Sequence, residues 1–343
     1  MKSTPVNQGT RSGLTVRSRV LSACLGLALG ATVSVATLIT AGPALADNYT
    51  ITDLGTLTGK ANSWVWIQSV NNHGAVGVYA NDIANPNAFA GDSSFLWDKG
   101  KVTVLPPLPG ATDTLVTSLN EREQAAGYSG ADGFMVRAVL WERGQALDLG
   151  TYPGDSYSIA WCVNNSGQVV GQSYTDIVGF SAHHAVLWHK GRIHLLPSLS
   201  PEGVGDAAWA INDRGQIVGQ SGPNPDLAHA ALWDRGVVVD LGTLGGEFSV
   251  AVTINNRTQA CGYSLTPEGT LRAFLWEDGV MTNLGAVGDD PLSLATGINS
   301  KGQIVANGTM QEILALHDED KAAKDGYKGG KLEEVFIRLT SEK

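Results

Sequence analysis

Five acidic residues stand at one recurrent place in this chain: Asp113, Asp155, Asp206, Glu247 and Asp289. Each lies shortly before a strand-like run that ends in Asn, and the last four directly follow a Gly. Grouped carboxylates can bind a hard cation such as calcium, divide into a general acid and a general base, or attract a cationic ligand. The competing reading makes each acid a turn residue that bonds its own backbone and faces water. The distance from acid to following Asn varies from six to ten residues, which weakens the idea of one coplanar ring. An equivalent position earlier in the chain carries Lys60, after Gly59. Histidine offers less. His184 and His229 share a repeat position with Ser94, Arg137 and Arg272, which reads as a polar contact at a strand end. There is no nucleophile elbow, phosphate-binding loop or His-Glu-x-x-His pair. The charged stretch from His317 to Lys331 lacks the acid spacing and final Glu of an EF-hand. No cofactor is expected, with calcium the one ion the acids could take.

The elements that position these acids come from a repeat, clearest between Asp206 and Gly246. It contains four short runs: AAWAIN, GQIVGQS, AHAALW and VVVDLG. Each is too short for a helix and is bounded by Gly, Asn or Asp, so each reads as a strand. The turns Asn212–Gly215 and Trp233–Gly236 end in Gly, suited to a positive φ. Together they make one four-stranded antiparallel meander. Leu-Trp recurs at Trp97, Trp141, Trp188, Trp233 and Trp276, 43 to 47 residues apart. The turn Asn recurs at Asn71, Asn120, Asn164, Asn212, Asn255 and Asn299. Four strands at this period are the signature of a propeller blade.

The reading is therefore an all-β, six-bladed propeller over residues 47–343, with 311–333 an irregular insert in the last blade. Five full units follow a lone fourth strand, Tyr49–Leu54. The chain then supplies a first strand ending at Asn299, a second at Gln303–Ala306 and a third at Glu334–Leu339. Pairing the N-terminal strand with these completes the sixth blade and removes both exposed edges. The first strands are rich in small residues, as crowding near a central axis requires. The repeated tryptophans are expected to pack between blades.

IN-x-x-GQ-x-VG at Ile211–Gly219, HA-x-LW at His184–Trp188 and His229–Trp233, RAFLW at Arg272–Trp276 and DLGTLGG at Asp240–Gly246 together resemble the HAF-type extracellular repeat family. That family is named for a His-Ala-Phe tripeptide. The resemblance covers residues 49–310 and implies a secreted, propeller-like protein. It brings no defined activity and no catalytic residues. The first two copies depart most, with Glu123 where Gly is usual.

Residues 1–46 read as a secretory signal peptide. Lys2, Arg11, Arg17 and Arg19 precede an apolar run that ends near Ala44-Leu45-Ala46, with cleavage after Ala46. A retained membrane anchor is the alternative, since the run is about 20 residues long. Cleavage removes four of 23 basic residues and none of 33 acids, moving the net charge from −10 to −14. An exported chain of that charge does not suit nucleic acid. Cys162 and Cys261 lie in copies that are not neighbours and read as buried thiols. The expectation is a secreted monomer without a membrane span, binding a protein, glycan or envelope polymer through its longer, more acidic loops. The alternative is a carboxylate-based hydrolase or lyase at the channel mouth.

Overall fold

The computed structural model describes residues 63–82, 93–131, 134–175, 183–201, 203–286 and 292–307, together with two short strands at 15–16 and 49–50. Those two, β1 (Thr15–Val16) and β2 (Tyr49–Thr50), pair with each other. The start of the expected closing strand therefore lies against Thr15 and Val16, while its expected partner at 334–339 falls outside the described residues.

The rest is five four-stranded antiparallel meanders in chain order. The first is β3 (Ser63–Val70), β4 (Val76–Asp82), β5 (Ser93–Asp98) and β6 (Lys101–Leu105). The second is β7 (Asp113–Leu119), β8 (Ala125–Ala131), β9 (Phe134–Glu142) and β10 (Gln145–Asp148). The third is β11 (Tyr157–Val163), β12 (Val169–Tyr174), β13 (His183–His189) and β14 (Arg192–Leu195). The fourth is β15 (Ala207–Ile211), β16 (Ile217–Ser221), β17 (His229–Asp234) and β18 (Val237–Gly242). The fifth is β19 (Ser249–Ile254), β20 (Ala260–Leu265), β21 (Leu271–Glu277) and β22 (Val280–Gly285). A hairpin of β23 (Leu294–Ile298) and β24 (Ile304–Asn307) begins a further copy. Each first strand packs against the first strand of the next sheet, so the sheets stack as blades with their first strands innermost.

Both turn types follow from local chemistry. In the first, the Asn side chain accepts from backbone N–H groups two and four residues on, as Asn212 does from Arg214 and Gln216 at 3.0 Å each. The fourth residue then has positive φ: +79° at Gly215, but also +59° at Glu123 and +66° at Thr258. The second turn has two positive-φ residues, Arg235 at +52° and Gly236 at +82°, the type I′ geometry that matches strand twist.

Every innermost strand carries a bulge three residues before the turn Asn, at Gln68, Thr117, Trp161, Trp209, Val252 and Thr296. The second strand lies so close to the bulged strand that a Cβ on Gly219 would sit 1.9 Å from the Ala207 carbonyl oxygen. The Val-Gly of the repeat is thus a close-approach requirement.

The blades are tied by a chain of amides. Nδ2 of Asn71, Asn120, Asn164, Asn212 and Asn255 donates to the carbonyl of the next copy's turn Asn, at 2.9–3.1 Å. A parallel chain joins the following residues through Glu121, Asn165, Asp213 and Asn256 side chains. The tryptophans pack between blades, and Nε1 of Trp141 and Trp233 donates to the carbonyls of Pro106 and Pro197 on the preceding blade. Blade one differs at its inner face. Ile67 is 54% exposed, whereas its equivalents Val116, Ala160, Ala208, Ala251 and Ala295 are all at 0%.

Candidate functional site

Loops that precede first strands and follow second strands share one end of the blades, and the acids lie there. The shared histidine position explains which of them matter. In blade two, Arg137 meets Asp148 of its own fourth strand at 3.1 Å. In blade four, His229 meets Asp240 at 3.0 Å. The same acid caps a Gly N–H, Asp148 to Gly150 at 2.8 Å and Asp240 to Gly242 at 2.7 Å. These pairs are solvent-exposed and contribute little. Blade three has Leu195 where the acid would stand. Its histidine, His184, turns instead to Asp155, with Nδ1 2.9 Å from Oδ2. The Asp155 side chain is 1% exposed and the His184 side chain 26%. A neutral imidazole held this way donates through Nδ1 and presents Nε2 as an acceptor.

Aromatic rings stand at this end of blade three on both faces of its sheet. Tyr152 lies against His184, ring centroids 5.1 Å apart. Tyr157 and Tyr174 are cross-strand partners stacked at 5.6 Å and 25°. Tyr174 in turn meets His183 at 5.4 Å. Burial pushes the Tyr174 phenol up, helped by the nearby Tyr128 and Tyr157 hydroxyls. Burial, with His184 alongside, pushes His183 down, against the pull of Asp155. The His183 N–H donates to Val204 O at 3.2 Å, and His183 forms an isolated parallel bridge to Gly205, so this rim bears directly on the start of blade four.

Asp206 stands there, buried. It accepts from Ser198 Oγ at 3.0 Å and from the Gly222 N–H at 3.2 Å. Burial raises its carboxyl above the usual range, opposed by hydrogen bonds from Ser221, Ser198 and Gly222 and by the nearness of His184. Asp155 and Asp206 are thus brought toward one histidine. Asp113 is buried at the start of β7, Glu247 is exposed, and Asp289 lies outside the described residues. The four described acids do not share one environment: Asp113 and Asp206 are buried, the Asp155 side chain is closed off against His184, and Glu247 is exposed. Among the described residues no group of three or more His, Cys, Asp or Glu side chains could hold a metal ion. No helix among them is long and apolar enough to cross a membrane.

Sequence reasoning missed His184 as distinct from His229, and missed Tyr152, Tyr157, Tyr174 and His183. One signal was available: the third repeat has a histidine at the shared position but no acid in its own fourth strand.

No family model and no curated protein matches the chain. Among solved structures it is similar to TolB from Acinetobacter baumannii, at 11% identity and TM-score 0.44, over 68% of this chain and 63% of that one. It is similar to a puromycin-hydrolyzing peptidase of Mycobacterium tuberculosis, at 14% identity and TM-score 0.43, over 65% and 38%. A third is the six-bladed propeller lectin of Aleuria aurantia, at 11% identity and TM-score 0.31, over 66% and 77%. The matched part spans less than two thirds of the first two proteins. At these scores the likenesses carry no functional argument.

Proposed function

We propose that this chain is an exported six-bladed propeller that binds a protein, glycan or envelope polymer through its long-loop rim, without catalysis. The observation that carries the reading is the gathering of Tyr152 and Asp155 with His184 on one face, and of Tyr157 and Tyr174 with His183 on the other, at one end of blade three in an otherwise repetitive scaffold. At the other end, the equivalent side chains are spent on joining blades. Six-fold closure is favoured by the bare inner face at Ile67 and by the β23–β24 hairpin, which starts a sixth copy. Residues 1–46 act as a cleaved leader in this reading, and the repeat motifs make the chain a relative of HAF-type proteins.

The test is sedimentation of the purified chain with an insoluble envelope fraction. Saturable binding that falls with Tyr157→Ala and His184→Ala but not with Arg214→Ala, on the opposite end, is expected. Equal loss in all three, or no binding, would overturn it. A second reading is a hydrolase or lyase in which His184, oriented by Asp155, is the base; the buried Asp155–His184 contact favours it. Release of soluble products from the envelope fraction, abolished by His184→Asn, would establish that alternative.

A further inference from the structure

Resting on the binding reading, we infer that the rim around His184 takes a neutral saccharide. The argument is one of matching chemistry. A sugar ring offers apolar C–H faces and an edge of hydroxyl groups. Flat aromatic side chains match the faces, and a few fixed polar groups match the edge. The rim has both. At the end of blade three Tyr152 lies on His184 on one face of the sheet and Tyr157 on the buried Tyr174 ring on the other, so a sugar chain crossing that end meets both, and all but Tyr174 retain exposed surface. Asp155, its side chain almost fully buried, holds His184 through Nδ1, which leaves Nε2 as the edge that can meet a hydroxyl.

Charge narrows the class. From Gly144 to His189 the sequence contains no Lys or Arg, and Arg137 of the adjoining blade is paired with Asp148, so this rim brings little counter-charge for phosphate, sulfate or uronate groups. A cation is poorly served as well, because the two carboxylates described beside His184 are engaged. Asp155 is held by His184, and Asp206 by Ser198 and the Gly222 N–H. An uncharged ligand rich in hydroxyls is what remains.

The experiment is isothermal titration of the purified chain with hexasaccharides of glucose, mannose, galactose and N-acetylglucosamine, with glucosamine and galacturonate hexamers as the charged arms. At least one neutral hexamer is expected to bind better than both charged ones. Tyr157→Ala and His184→Asn should each weaken it about tenfold, the size of effect that one well-placed contact commonly has. Arg214→Ala, at the opposite end of the blades, should bind as the parent does. Preference for the glucosamine or the galacturonate hexamer would overturn the proposal. If no hexamer binds while the chain still sediments with the envelope fraction, the saccharide inference fails and the binding reading survives. If neither occurs, both fail.

Discussion

Replacing Asn212 by Ala tests the amide chain that joins the blades. The Asn212 side chain makes four hydrogen bonds. It accepts from Arg214 N and Gln216 N at 3.0 Å each, and donates to Gln216 Oε1 at 2.9 Å and Asn255 O at 3.0 Å. The residue is buried, so water does not replace all of these partners. At about 1 kcal/mol net per bond, the substitution should cost roughly 4 kcal/mol. Equilibrium urea unfolding reads this as a fall in midpoint at constant slope. Asn299→Ala is the informative companion. Its described bonds are three, to Lys301 N, Gln303 N and Gln303 Oε1. If the ring closes, Asn299 Nδ2 also reaches the Asn71 carbonyl, and the two variants should fall together. An open ring would leave Asn299→Ala milder by about 1 kcal/mol. A cost below about 1 kcal/mol for Asn212→Ala would refute the claim that these amides hold the blades.

Gly219→Ala should destabilise by about 2 kcal/mol or more in the same unfolding assay, since its Cβ would sit 1.9 Å from the Ala207 carbonyl oxygen and the strands must part. Glu123→Gly should stabilise by about 1 kcal/mol, because an exposed residue with a side chain is held at φ +59° in a turn position that glycine fills in other copies. Asp206 has a raised carboxyl in the folded state, so the native protein holds its proton more tightly than the unfolded chain. Its contribution is full below the ordinary carboxylate value and is lost as pH rises through the raised one. Asp206→Asn should remove that part of the pH dependence and raise the thermal midpoint at neutral pH.

The repeat, its turns and the inter-blade tryptophans are legible because each depends on residues close in sequence. The Asn Oδ1 contacts lie within four residues, and Leu-Trp marks a strand that every copy builds alike. The site is less legible because it depends on differences between copies. His184 and His229 occupy the same position, and only the exchange of Asp240 for Leu195 in the partner strand frees one of them. The Tyr157–Tyr174 stack needs the register of two strands, including the bulge at Trp161 that shifts it. The acids share a motif position, but the partners each one meets in the fold, such as Ser198 and Gly222 for Asp206, differ between copies, so Asp206 is buried and Glu247 exposed.

The most direct test of the account is a map of backbone amide shifts by NMR as soluble envelope-polymer fragments are added. The account predicts saturable shifts confined to residues 152–157, 174 and 183–184 and to the adjoining start of blade four. Shifts centred on the opposite end, at the turns of Asn120, Asn164 and Asn212, would contradict it.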